Sequence, residues 1–156
     1  MVMVVRPATL ADVPSLEIVR RQAIEATYSS YYPREDFADL VSSPDSDLSS
    51  WIESEHHRVV VVETPVTPVA YAAVDRRNGE LLAVYTAPDY EGRGYATRLI
   101  EDIVQTMAST DIDSLFVWAP DPVQAFFLEN GFELGKERTE SPFPSQRMRR
   151  EFPEGH

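Results

Sequence analysis

The 156-residue chain predicts an α/β fold, a single domain over residues 1–156 in which helices pack on a mixed sheet. Three features point there. Runs of β-branched or small apolar residues of strand length stand at 58–63 and 69–74, and an apolar strand at 81–86 enters a glycine-rich turn. A strongly amphipathic helix follows that turn at once.

Taken in order, Thr9 and Asp12 form a capping pair that opens a helix running to about Tyr28, with Val13, Leu16, Val19 and Ala23 on its buried face. Arg58–Glu63 and Val69–Val74 are strands joined by the turn Thr64–Pro65–Val66–Thr67–Pro68. Asn78-Gly79 closes a hairpin into the strand beginning at Glu80, a turn that wants φ > 0 at both positions. Leu99, Ile100, Ile103, Val104, Met107 and Ala108 form a 3.6-residue stripe on the helix after the glycines. Ser114–Trp118 is a further strand, and Asp121 to Asn130 a helix ending at Gly131, a C-cap. Two short strands, near Glu133–Arg138 and Gln146–Phe152, complete the sheet.

The turn at Gly92-Arg93-Gly94 is the best anion site in the chain. Glycines let the backbone turn tightly with its N–H groups pointing inward, and the helix N-terminus faces the same turn. A dinucleotide fingerprint needs a third small residue where Thr97 stands and should open the first strand–helix unit. A P-loop needs a Gly-Lys-Ser/Thr end, and the only lysine is Lys136.

What remains is Glu91-Gly92-Arg93-Gly94-Tyr95-Ala96 after a strand ending in Val84-Tyr85-Thr86-Ala87-Pro88. It closely resembles the acyl-CoA pyrophosphate loop of the GNAT N-acetyltransferase superfamily, usually Gln/Arg-x-x-Gly-x-Gly/Ala, with Glu91 as the departure. Val123-Gln124-Ala125-Phe126-Phe127-Leu128-Glu129-Asn130-Gly131-Phe132 resembles the superfamily's C-terminal Ala-x-x-Phe-Tyr-Glu-x-x-Gly-Phe signature, and Val4 to Asp12 its opening strand and helix start. The resemblance implies a central, mostly antiparallel twisted sheet of about seven strands flanked by about four helices. It also implies transfer of an acetyl group from acetyl-CoA to a primary amine, a small molecule or a protein, by direct attack in a ternary complex.

The same resemblance assigns residues. Coenzyme A would be held by Glu91, Gly92, Arg93, Gly94, Tyr95, Ala96 and Thr97, by the strand at Val84 and Thr86, and by Phe126 and Phe127. Arg93 and Arg98 add positive charge beside the loop. The general base would be Glu80, at the head of the cofactor-bearing strand, with His56, His57 and Glu63 as weaker candidates. The superfamily's acid is a tyrosine where Phe127 stands, so either the thiolate leaves with the help of water or Tyr85, Tyr90 or another phenol substitutes. The acceptor would lie against Tyr28–Arg34, with Tyr31, Tyr32 and Arg34 foremost, and against Ser141-Pro142-Phe143-Pro144. Arg34 could equally pair with Glu35, Asp36 or Asp39. Phe127 and Glu91 also fit a catalytically weak acyl-CoA-binding or regulatory module, and a protein-interaction domain would use the glycine loop only as a turn.

Composition excludes several classes. With 26 acidic against 14 basic side chains, a net charge of −12 repels nucleic acid and anionic lipid. A cationic substrate, a basic protein partner and adaptation to high salt each account for it. Salt adaptation, and so a halophilic source, fits best, because the bias is spread along the chain and lysine is nearly absent. The absence of cysteine removes a Cys-linked acyl-enzyme and Cys-type zinc sites, and no metal is expected. No long apolar run or leader pattern is present, which predicts a soluble cytoplasmic protein with a homodimer as a candidate assembly.

Overall fold

In the computed structural model, which describes residues 3–42, 47–140 and 143–152, Val59–Val62 and Val69–Val74 are buried along their whole length. Strands apolar on both faces need helices on both faces, and this sheet has them. The elements in chain order are β1 (Val4–Pro7), α1 (Val13–Tyr28), α2 (Arg34–Ser42), α3 (Leu48–Glu53), β2 (His57–Glu63), β3 (Pro68–Asp75) and β4 (Glu80–Thr86). There follow α4 (Tyr95–Met107), β5 (Ser114–Pro120), α5 (Gln124–Glu129), β6 (Glu133–Thr139) and β7 (Ser145–Glu151). The seven strands form one sheet in the order β1-β2-β3-β4-β5-β7-β6. Every neighbouring pair is antiparallel except β4–β5.

Two cores flank the sheet. On one face Leu16 and Val19 of α1 pack with Leu48, Val61, Tyr71 and Ala73. On the other, Leu99, Ile100, Ile103, Val104 and Met107 of α4 pack with Val60, Val62, Ala72, Leu115 and Val117. The 3.6-residue stripe and the two-residue alternation of the strands meet there. The start of α1 is tied to β1: the Asp12 carboxylate accepts the Thr9 N–H at 2.7 Å and both guanidinium nitrogens of Arg6 at 2.8 and 2.9 Å. The Arg6 contact holds that carboxyl below the usual carboxylate range.

At Gly131 the chain leaves α5 in a Schellman motif. Gly131, φ 86°, donates to Leu128, Phe132 donates to Phe127, and the rings of Phe127 and Phe132 lie 5.2 Å apart. The hairpin before β4 departs from expectation. Among the described residues no non-glycine residue has positive φ, so Asn78 is not left-handed and the two-residue turn does not form. The loop has four residues between Asp75 and Glu80, which pair, and only Gly79 takes the left-handed position. Asn78 instead uses its side chain, whose Oδ1 accepts the Glu80 N–H at 2.9 Å. Helices α2 and α3 are additions to the sequence expectation. No helix of the described residues is long and apolar enough to cross a membrane.

Candidate functional site

Strands β4 and β5 share a single register pair, Glu80 with Phe116. Beyond it they part. One edge of β4 stays paired with β3 at Leu81 and from Ala83 to Thr86, with Leu82 bulged out of the register, while the other edge presents backbone N–H and C=O groups that no strand takes up. A cleft of about 590 Å3 opens along that edge, bounded by the end of α1, by Val117 and Trp118 of β5, by the glycine loop and by α5.

The glycine loop closes one end. Gly92 and Gly94 have φ of 77° and 80°, and Gly94 is the N-cap of α4. A Cβ at either position would meet nothing within 4 Å and would stand in open space. Glycine is needed here for backbone conformation and for what approaches the loop, not for packing. The first N–H groups of α4, at Tyr95, Ala96 and Thr97, have no intrahelical acceptor and carry the positive end of the helix dipole. Glu91, Gly92, Gly94, Tyr95, Ala96 and Thr97 all line the cleft. Arg93 does not: its guanidinium sits 4.9 Å from the centre of the Tyr90 ring and donates to the Asp89 carbonyl at 3.4 Å. Arg98 is exposed on α4 and also lies outside the lining. What the loop brings to the cleft is its backbone and the start of α4 rather than arginine side chains.

Of the remaining expected residues, Val84, Tyr85, Thr86, Tyr90, Phe126 and Phe127 line the cleft. Phe127, in the place of the superfamily's tyrosine, is 5% exposed and packs between Phe126 and Phe132. The Tyr85 ring lies 5.6 Å from that of Tyr71. Tyr28 lines the cleft from α1, and burial, together with Tyr85 and Tyr32, raises its hydroxyl well above the ordinary phenol range. Trp118 lines it too, and nothing in the sequence marked it. Its signal is visible only in the two-residue alternation of β5: Val117 and Ala119 pack toward α4, so Trp118 faces the side of α1.

Several expected residues are not brought together. Glu80 stands at the head of β4, at the one bridge to β5, and is not part of the cleft lining. At strand spacing it lies roughly 16 Å from Tyr85. Burial and the neighbouring Asp75 push its carboxyl up, with Arg147 opposing. Tyr31 is 59% exposed and outside the cleft. Tyr32 packs against Tyr28 and Phe143 behind the lining, its hydroxyl without a hydrogen-bond partner among the described residues. Arg34 pairs with Glu25 of α1. His57 is held by Ser54 at 2.9 Å near Asp75, and Glu63 by Arg6 at 2.7 Å, both away from the cleft; His56 is exposed. Ser141 and Pro142 lie outside the described residues.

The profile of the acetyltransferase (GNAT) family matches residues 21–132. A curated relative, GCN5-related N-acetyltransferase 2, chloroplastic, of Arabidopsis thaliana, is 29% identical over 105 residues, 67% of this chain and 39% of the relative. The chain thus spans about two fifths of that relative's length. Among solved structures, the PaiA N-acetyltransferase of Thermoplasma acidophilum in complex with coenzyme A superposes with a TM-score of 0.85 at 18% identity, covering 97% of this chain and 100% of that one. A GCN5-related N-acetyltransferase of Rhodopseudomonas palustris gives 0.82 at 20% identity, covering 97% and 98%.

Proposed function

The chain belongs to the acetyltransferase (GNAT) family, and from that premise we propose that it moves an acetyl group from acetyl-CoA to a primary amine by direct attack within a ternary complex. The observation that carries this is the succession of two features along one cleft: the parted edge of β4 leads, through a helical turn at Pro88–Tyr90, to the glycine loop and the unpaired N–H groups at the start of α4. A diphosphate has its donors at the loop, and an extended amide-bearing arm has a free strand edge to pair with. The coenzyme A held by the Thermoplasma relative is a ligand of that chemistry.

In the reaction the amine nitrogen forms a bond to the thioester carbonyl carbon, the carbon–sulfur bond breaks, and coenzyme A leaves as a thiolate. Backbone N–H groups on the free edge of β4 stabilise the carbonyl oxygen as charge builds. The amine must arrive neutral. The carboxylates lining the cleft among the described residues are Glu91 and Glu129, at the loop and on α5, so the amine's proton goes to water rather than to Glu80. The thiolate, with a pKa near 8.5 for a simple thiol, needs little help from an acid. Tyr85, which lines the cleft, is the phenol we assign to give it.

Release of free thiol from acetyl-CoA in the presence of an amine panel tests the proposal, with coenzyme A binding followed in parallel by calorimetry. Turnover supports it. Binding without turnover of any amine favours the acyl-CoA-binding module, and absence of binding leaves the glycine loop as a turn only.

Salt supplies a second measurement. A net charge of −12 opposes a polyanionic ligand at long range, and at about 1 M salt the Debye length falls to ~3 Å, so distant repulsion is screened while donors in contact are not. Affinity for acetyl-CoA and thermal stability are both expected to rise from dilute buffer to molar KCl. A flat or falling profile for both would remove salt adaptation and leave a cationic partner as the account of the acidity.

A further inference from the structure

Resting on the acetyl-transfer reading, we propose that the acceptor is a primary monoamine with a flat, uncharged body, an arylalkylamine in class, seated against Tyr28, Tyr85 and Trp118.

Three aromatic side chains reach one wall of the cleft from three elements: Tyr28 from the last turn of α1, Tyr85 from β4 and Trp118 from β5. All three lie on the α1 side of the sheet. Tyr85 packs, tilted, against Tyr71, a member of the core beneath α1, and Trp118 alternates with residues of the core beneath α4. The Tyr28 ring is held edge-on by Phe143 at 5.1 Å and Phe37 at 6.1 Å, so its position is set by packing before anything binds. The opposite side of the cleft carries the glycine loop and α5, with the unpaired N–H groups. One wall is built for phosphate and amide, the other for a flat apolar surface.

Charge narrows the class further. Among the described residues no arginine, lysine or histidine lines the cleft, so nothing there pairs with the carboxylate of a free amino acid. Its carboxylates, Glu91 and Glu129, lie on the loop and on α5, and the α1 wall has none for a second ammonium. Outside the lining, Arg147, the register partner of Trp118 on β7, lies over the Phe116 ring at 4.4 Å. Arg20 donates to the Leu40 carbonyl, and Arg138 faces Asp121 at 3.9 Å and Glu140 at 3.1 Å. Burying an unpaired charge costs several kcal/mol, so a polyamine is penalised at its second nitrogen and an amino acid at its carboxylate. A single ammonium is not penalised in this way, because ring faces attract it on entry and desolvation then favours loss of its proton, which leaves the nitrogen free to attack.

The test measures thiol release from acetyl-CoA with 2-phenylethylamine and tryptamine against putrescine, spermidine and L-lysine. The arylalkylamines are expected to show kcat/KM about 10-fold or more above the others, the worth of a lost ring contact alone. Tyr28→Ala and Trp118→Ala are expected to raise the tryptamine KM about 10-fold, and Tyr28→Phe, which keeps the ring, to recover most of that loss. Coenzyme A affinity and the circular dichroism spectrum report whether each variant is folded. Preference for spermidine, putrescine or lysine, or an unchanged tryptamine KM in both folded alanine variants, overturns the monoamine assignment while acetyl transfer stands. No thiol release with any amine, coenzyme A still binding, overturns the acetyl-transfer reading and this assignment with it.

Discussion

Gly94→Val is expected to abolish coenzyme A binding while the protein stays folded. At φ 80° the position is left-handed, which costs a non-glycine residue about 1–3 kcal/mol. In a domain of this size that lowers Tm by roughly 2–4 °C per kcal/mol. Beyond that backbone strain the space is open, because a Cβ there meets no atom of the surrounding structure within 4 Å. It is the ligand that the new side chain opposes. Valine's methyl groups would occupy the space through which phosphate oxygens reach the N–H groups at the start of α4. Losing two charge-assisted hydrogen bonds at about 1.5–3 kcal/mol each weakens binding by a factor of ~100 or more. Calorimetry with coenzyme A and a thermal melt measure the two effects separately. A variant that melts a few degrees lower and binds coenzyme A as the parent does would show that the loop is not the diphosphate site.

That loop was legible because its physics is local. The Gly-x-Gly turn, the helical stripe that seats α4 and the glycine that ends α5 are each dictated by neighbours in sequence, and each stands where expected. What was illegible depends on the sheet. Glu80 lies close to the loop in sequence and on the same strand, but an extended chain advances about 3.3 Å per residue, so six residues separate Glu80 from Thr86 and set it at the end of the cleft away from the loop, beside Leu81. Trp118 is an unremarkable strand residue until the pairing of β5 shows which face it takes. Asn78 has the right chemistry for a tight turn but spends its side chain on the Glu80 N–H, so that only Gly79 takes the left-handed position. Arg34 found Glu25 on the preceding helix because α1 and α2 pack side by side, which no local pattern announces. Short α2 and α3 have little periodicity to display, and tertiary contacts, such as Phe37 against Tyr28, stabilise them in its place.

Gly79→Ala is expected to produce the reverse balance from Gly94→Val: a large loss of stability from a change remote from the loop. Gly79 is also left-handed, at φ 82°, but its surroundings are closed. A Cβ there would lie 2.4 Å from the Ser114 carbonyl oxygen and 3.1 Å from Cγ2 of Ile112, and the nearer of these is backbone that cannot swing aside. The hairpin must therefore retreat from the start of β5. Retreat breaks the 3.0 Å hydrogen bond from the Phe116 N–H to the Gly79 carbonyl and strains the adjacent Glu80–Phe116 bridge, the only register pair between β4 and β5. Left-handed strain, overpacking and a lost buried hydrogen bond sum to about 3 kcal/mol or more, a fall in Tm of roughly 6–12 °C. The function follows from the same junction. Strands β4 and β5 can part at one end because they are pinned at the other, so loosening the pin changes the width of the cleft along its length. Coenzyme A affinity is expected to fall as well, by about 10-fold, though Gly79 is not part of the cleft lining. An alanine variant with the parent's Tm would show that the hairpin tip is not wedged against β5. One that melts lower but binds coenzyme A unchanged would show that the parting of the strands is held from the open end, by α1 and the glycine loop, rather than from the pinned one.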